Sequence, residues 1–252
     1  MPPVRLGPWS LVLGSNPFND LGLGTWDLSL QPRTRFALAL AGYFVVLWIL
    51  WPTPFAYPFK IFVVFLHELS HALAAVATGG AVAAITLDWR EGGATWTLGG
   101  NTFVVLSAGY LGSLLWGLAL IAVARTRPRW APGVVQALGM LTVLVTLVYV
   151  RSGFGVAFGL VFGAVLFAAG RRLKRDAAVM LLTALGLTSA LYALLDIRSD
   201  IIQRPGLESD AHMLAELTGI PTLFWGFLWA GLATISSLWL LHRLWRGGGR
   251  LR

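Results

Sequence analysis

The chain has 252 residues, of which 57% are apolar and only 12% charged, and its formal net charge is +8. Soluble domains typically contain about 25% charged residues, so this composition excludes an ordinary soluble globular protein. The chain has no cysteine, which excludes disulfides, thiolate metal ligands and cysteine nucleophiles. Most basic residues flank apolar segments, so we expect them to face lipid headgroups and do not expect nucleic-acid binding.

The first 35 residues predict an irregular tail that lies at the membrane interface. They are rich in tryptophan, proline and glycine, and they lack the long apolar core of a cleavable signal peptide. Residues 36–245 follow as a transmembrane domain, and residues 246–252 form a short basic tail.

Seven apolar segments within this domain have lengths typical of membrane-spanning helices. Their approximate bounds are 36–51, 59–78, 102–124, 134–150, 154–170, 177–195 and 222–245. A polar loop at 196–221 precedes the last of them. We therefore predict an all-α polytopic membrane protein with about seven transmembrane helices.

Residues 81–100 differ from these segments and predict a short, membrane-associated β-hairpin. Two stretches rich in β-branched and aromatic residues, 84–89 and 94–98, flank the sequence Arg90-Glu91-Gly92-Gly93. Glycine in a short connection between two such stretches is typical of a hairpin loop.

The second apolar segment contains the sequence His67-Glu68-Leu69-Ser70-His71. Residues i and i+4 share one face of a helix, so both imidazoles can bind one Zn²⁺ while Glu68 lies beside them. Ionisable groups inside a bilayer are costly and are usually functional. The motif therefore indicates an intramembrane zinc metalloprotease in which Glu68, as general base, activates a zinc-bound water for attack on a peptide bond.

A third protein ligand is expected, because catalytic zinc usually binds three protein side chains and a water. We prefer Asp196, which ends an apolar helix and is therefore the carboxylate best placed to be held at membrane depth. Asp210 and Asp200, in the following loop, are the alternatives. Ser209-Asp210 also has the pattern of a helix N-cap, which is a purely structural interpretation of Asp210.

The stretch Phe65 to Ala75, followed by Gly79-Gly80, resembles the zinc helix of the site-2 protease family of intramembrane metallopeptidases. The chain is most similar to the compact bacterial branch without a PDZ domain, which implies a multi-pass protein of the bacterial plasma membrane. The resemblance implies that the hairpin receives an extended substrate as an added strand. It also implies that Asp196, in Leu194-Leu195-Asp196, is the third zinc ligand, and it places Ser113 where the family often has asparagine.

Absolute orientation in the membrane stays open. With seven spans, one face has 7 of the 19 Lys and Arg residues, including Arg90, and the other has 12, including Lys60. The positive-inside rule would place the second face in the cytoplasm, whereas the resemblance implies the reverse.

The leading hypothesis is a zinc-dependent endopeptidase that cleaves membrane-embedded or membrane-proximal segments of other proteins. The alternative is a non-proteolytic membrane scaffold or regulator that retains the zinc helix and binds a partner without cutting it. A zinc or small-solute transporter is a third hypothesis, and it is disfavoured because paired, broken helices are not apparent. The residues that bind substrate and the oligomeric state are not predicted.

Overall fold

In a computed structural model of the chain, the described residues are 34, 38, 42, 43, 45–47, 49–198 and 209–246. The side chain of Asp196 and those of a few other helix-end residues are not among them. The predicted tails at 1–35 and 246–252 lie almost wholly outside this part of the chain, and the candidate ligand Asp200 lies wholly outside it.

The described part is mostly helical, with one small antiparallel sheet. The helices are α1 (Tyr57–Ala77), α2 (Thr102–Thr126), α3 (Ala131–Tyr149), α4 (Gly153–Arg172), α5 (Arg175–Arg198), α6 (Asp210–Thr218) and α7 (Thr222–Arg246), and the strands are β1 (Ala81–Leu87) and β2 (Gly93–Leu98). A short 3-10 turn, Pro128–Trp130, precedes α3. The predicted fold class is confirmed, and each predicted element from residue 59 onward matches an observed one to within a few residues.

Five of these helices are long and apolar enough to cross a membrane: α1, α2, α3 together with its 3-10 turn, α4 and α7. The predicted first span, 36–51, lies only partly within the described residues. The predicted sixth span is a helix, α5, but it is not among the five. The total of about seven spans therefore stays a prediction.

Neighbouring helices approach closely at glycines. A Cβ atom on Gly139 of α3 would lie 2.6 Å from the carbonyl oxygen of Gly163 in α4. A Cβ atom on Gly117 of α2 would lie 2.6 Å from the carbonyl oxygen of Gly186 in α5. Small residues allow such backbone contact between membrane helices, which associate mainly through van der Waals packing.

The hairpin folds back along α1, so that its tip lies beside the first turn of that helix. Lys60 is 8% exposed, and its Nζ lies 3.0 Å from Glu91 Oε1 at the tip. The Tyr57 hydroxyl donates to the Trp89 carbonyl at 2.7 Å. The prediction that Lys60 and Arg90 lie at opposite membrane faces is therefore wrong, because Lys60 lies beside the hairpin tip that contains Arg90. The physical reason is that the buried ammonium of Lys60 needs a counter-ion, and Glu91 at the tip provides it.

One edge of the hairpin is occupied. Ile85 forms a parallel bridge with Val150, and the Arg151 amide donates to the Ile85 carbonyl at 2.9 Å. The Ser152 hydroxyl continues this contact at Leu87, where it accepts from the amide and donates to the carbonyl, both at 2.9 Å. Within the described residues, the outer edge of β2 forms no corresponding backbone hydrogen bonds, so β2 is the open edge of the sheet.

The contact between α3 and α4 generates a stability prediction. We expect Gly139→Ala to destabilise the protein by about 1–3 kcal/mol, because the added methyl group meets backbone atoms that cannot rotate away. The corresponding fall in the midpoint of thermal unfolding, followed by tryptophan fluorescence in detergent, is roughly 2–10 °C.

Gly133→Ala, on the same helix, is the matched control, since a Cβ atom there has nothing within 4 Å. Equal unfolding midpoints for the two variants would contradict the close packing of α3 on α4.

Candidate metal centre

His67 and His71 lie on one face of α1 in the middle of an apolar helix, as the motif predicts. Their ring centroids are 4.8 Å apart. The side chain of His71 is 8% exposed and that of His67 is 14% exposed. Two imidazoles are therefore held together in an environment that is nearly closed to solvent.

The carboxylate of Asp210 completes a three-residue cluster with these histidines. Asp210 Oδ2 lies 3.1 Å from His67 Nε2 and 3.2 Å from His71 Nε2. The three candidate ligand atoms all lie within 4.8 Å of one another, and Asp210 is 9% exposed. The structure therefore brings one of the two alternative aspartates to the motif, while the side chain of the preferred residue, Asp196, is not described.

Local capping and hydrophobic packing position Asp210. The Ser209 side chain accepts a hydrogen bond from the His212 amide and so caps α6, which leaves the Asp210 carboxylate free to point towards α1. The other side of α6 packs into a hydrophobic core between α2 and α7. This core contains Leu106, Tyr110, Ile197, Ala211, Leu214, Trp225 and Trp229.

The surroundings of Asp210 favour its ionised form. Burial alone would raise the pKa of this carboxyl, but the positive charge of protonated His71 and His67 and the hydrogen bonds that they donate lower the pKa well below its usual range. The cluster therefore combines one anionic oxygen with two imidazoles.

The hydrogen bonds of His71 require either a proton or a metal ion between this histidine and Asp210. Its Nδ1 lies 2.7 Å from the Val105 carbonyl oxygen, which can only accept, so Nδ1 has the proton and donates. In neutral His71 the lone pair of Nε2 then faces the anionic oxygen of Asp210 at 3.2 Å. Two acceptors at this distance need a proton or a metal ion between them.

Zn²⁺ fits this set of donors. Imidazole nitrogen and carboxylate oxygen are common zinc ligands, and two ligands of a tetrahedral zinc lie about 3.3 Å apart, close to the two nitrogen–oxygen distances here. The hydrogen bond from His71 Nδ1 to a backbone carbonyl is also the usual way in which a zinc-bound histidine is oriented.

Helix α2 forms one wall of the cluster and approaches it through a glycine. A Cβ atom on Gly109 would lie 2.5 Å from Asp210 Oδ2 and would also overlap His67 Nε2. The ring of Tyr110 contacts His67 edge to face, with centroids 5.2 Å apart. Ser113, one turn further along α2, is 1% exposed, and its hydroxyl has no partner among the described residues.

Glu68 lies on α1 beneath the hairpin. It is 5% exposed, and its Oε2 accepts a hydrogen bond of 2.7 Å from the Thr95 hydroxyl. Gly93 approaches the other oxygen closely, since a Cβ atom there would lie 2.6 Å from Oε1. The contact between Thr95 and Glu68 is not predicted from the sequence. Strand alternation could have indicated that Gly93, Thr95 and Thr97 share one face of β2, but not which of them meets Glu68.

Comparison with known proteins identifies the family. A search of curated proteins and a search of solved structures find no match to this chain. A model of the Peptidase M50B-like family matches residues 40–240, which include α1, the hairpin and Asp210. Since this match covers most of the chain, the protein belongs to the Peptidase M50B-like family and so to the site-2 protease family of multi-pass, membrane-embedded metallopeptidases.

Proposed function

We propose that the protein is a zinc-dependent intramembrane endopeptidase that cleaves membrane-embedded or membrane-proximal segments of other proteins. The observation that carries this proposal is the cluster of His67, His71 and Asp210, with donor atoms within 4.8 Å of one another and Glu68 on the same helix. Membership of a metallopeptidase family supports the same reaction class.

Asp210 is the third zinc ligand in this proposal. Its Oδ2 lies at nearly equal distances, 3.1 and 3.2 Å, from the two histidine nitrogens. A buried, ionised carboxylate that faces two imidazoles is a suitable ligand for a divalent ion, and the packing of α6 holds it there. This assignment replaces Asp196 as the preferred ligand and keeps both histidines.

Zinc bound to these residues would act as a Lewis acid that polarises the substrate carbonyl and acidifies a water molecule. Glu68 accepts the proton of the attacking water and then donates it to the amine that leaves. His71, through its bond to the Val105 carbonyl, keeps Nε2 directed at the metal position. The apolar residues of α1 beside the motif, including Phe65, Leu66 and Leu69, are buried in the hydrophobic core.

The open edge of β2 is the proposed binding position for the substrate. Peptide groups at membrane depth must have hydrogen-bond partners, and an extended substrate would provide them by adding as a third strand. The opposite edge of the hairpin is already occupied by Val150 and Ser152. A substrate strand would therefore lie next to β2, whose inward face contacts Glu68.

Metal content tests the ligand set. We expect the detergent-purified parent protein to bind about one zinc per chain. His67→Ala and Asp210→Ala should each weaken zinc binding by more than roughly 100-fold, the upper range for loss of a residue that merely supports a ligand. The measurement is metal analysis after equilibration with buffered zinc.

Asp176→Ala is the control, because Asp176 is an exposed carboxylate that pairs with Arg175. If Asp196→Ala lost zinc while Asp210→Ala kept it, the third ligand would be Asp196. A parent protein that binds no zinc even when it is supplied would favour the scaffold hypothesis.

Substitution of the base tests the reaction. Glu68→Gln retains the size of the side chain but removes the proton acceptor, so we expect it to bind zinc normally and to cleave about 10²–10⁴-fold more slowly. The assay is product formation from a panel of single-span reporter proteins in proteoliposomes, scored by mass spectrometry.

Glu216→Gln serves as the control, since Glu216 is an exposed residue that pairs with His212 on the outer side of α6. Equal cleavage by Glu68→Gln and the parent would contradict the proposed role of Glu68.

A further inference from the structure

The hairpin contacts both oxygens of the Glu68 carboxylate, and the two contacts differ. Oε2 accepts a hydrogen bond from Thr95 Oγ1 at 2.7 Å. Oε1 lies against Gly93, at a position where any Cβ atom would approach it to 2.6 Å. Among the described residues, Oε1 has no hydrogen-bond partner.

The Thr95 hydroxyl has a single proton, and the geometry indicates where that proton goes. Thr95 Oγ1 also lies 3.0 Å from the Glu68 carbonyl oxygen, a longer contact than the one to Oε2. Hydrogen bonds to a charged acceptor are shorter and stronger than those to a neutral one, so the carboxylate is the principal acceptor. Thr95 therefore fixes the rotation of the Glu68 side chain from the outside of α1.

We propose that Thr95 is a positioning residue for Glu68: by binding Oε2 it fixes the rotation of the carboxylate, which leaves Oε1 as the oxygen that accepts the proton of the attacking water. This inference rests on the proposed function and deepens it. Gly93 is also needed for this geometry. Any other residue would place a Cβ atom 2.6 Å from Oε1 and obstruct that oxygen.

The position of Thr95 links substrate binding to proton transfer. Thr95 lies on β2, the strand to whose open edge the substrate adds in the proposed function. A displacement of β2 relative to α1 would lengthen the Thr95–Glu68 hydrogen bond and release the carboxylate. The strand that aligns the substrate is therefore also the strand that aligns the base.

Kinetics of matched variants test this role. Thr95→Val keeps the shape of the side chain and removes the hydroxyl. We expect kcat to fall about 10- to 100-fold, as for other residues that orient an active-site group, with KM and zinc content unchanged. Thr95→Ser, which restores a hydroxyl, should return kcat to within roughly 3-fold of the parent.

Thr86→Val is the control within the same hairpin. The Thr86 hydroxyl donates to the Ala94 carbonyl at 3.3 Å, so this variant also loses one threonine hydroxyl and one hydrogen bond but touches no group of the site. The substrate is the single-span reporter that the parent cleaves fastest.

A measurement on metal-free protein tests the contact without catalysis. Thr95→Val should lower the midpoint of thermal unfolding by several degrees in the parent background. The shift should be roughly half as large or smaller in the Glu68→Ala background, which has no carboxylate to bind. Equal shifts in the two backgrounds would overturn the contact.

The outcomes separate this inference from the proposed function. If Glu68→Gln abolishes cleavage but Thr95→Val does not, or if Thr95→Ser is as slow as Thr95→Val, the role of Thr95 is wrong and the proposed function stands. A similar loss of kcat in Thr86→Val would also overturn the role of Thr95, since the effect would then be a property of the whole hairpin. If the parent binds zinc but cleaves no reporter, the proposed function fails, and a thermal coupling between Thr95 and Glu68 would then be purely structural.

Discussion

Three ionisable side chains on one apolar helix, His67, Glu68 and His71, set the constraint on which the arrangement of this protein depends. Inside a low-dielectric environment each such group needs a partner, because an unpaired buried polar or charged group costs several kcal/mol. Helix α1 cannot provide these partners itself, since its own backbone groups are used in the helix. The partners come from separate segments: the Val105 carbonyl from α2, the Thr95 hydroxyl from β2 and the Asp210 carboxylate from α6.

The elements that provide these partners must also approach α1 closely, and glycine makes this possible. Gly109 allows α2 to pass the histidine–aspartate cluster, and Gly93 allows β2 to lie on Glu68. At either position a methyl group would overlap an atom of the site itself. The close approach of α2 and β2 at these glycines therefore determines the geometry of the site as well as the stability of the protein.

The sequence predicted the elements well but the contacts between them poorly. Hydrophobic length and glycine-containing breaks fix the bounds of α1, α2 and the hairpin, because these depend on residues near one another in the chain. The motif on α1 depends on the same local spacing. Asp210 lies 143 residues from His67, and its approach depends on the packing of a nine-residue helix between α2 and α7. The pattern Ser209-Asp210 correctly indicated a cap, but the cap is formed by Ser209, which leaves Asp210 available for a second role.

The direction of the hairpin is also a contact between elements that the sequence does not predict. This direction determines how Thr95 is held. Sequence patterns predict a hairpin but not whether it extends away from α1 or folds along it. Here it is fastened at both ends. At its base the Gly80 amide donates to the Ala75 carbonyl of α1 at 2.8 Å. At its tip Glu91, with a φ of 67°, pairs with Lys60 of α1. A non-glycine residue in that conformation is uncommon, and here the Glu91 side chain, about one-third exposed, pairs with the buried Lys60. Thr95 lies between these two attachments, so the register of β2 on α1 is fixed from both directions. In the proposed function, a strand added to the open edge of β2 would therefore take a defined position relative to α1.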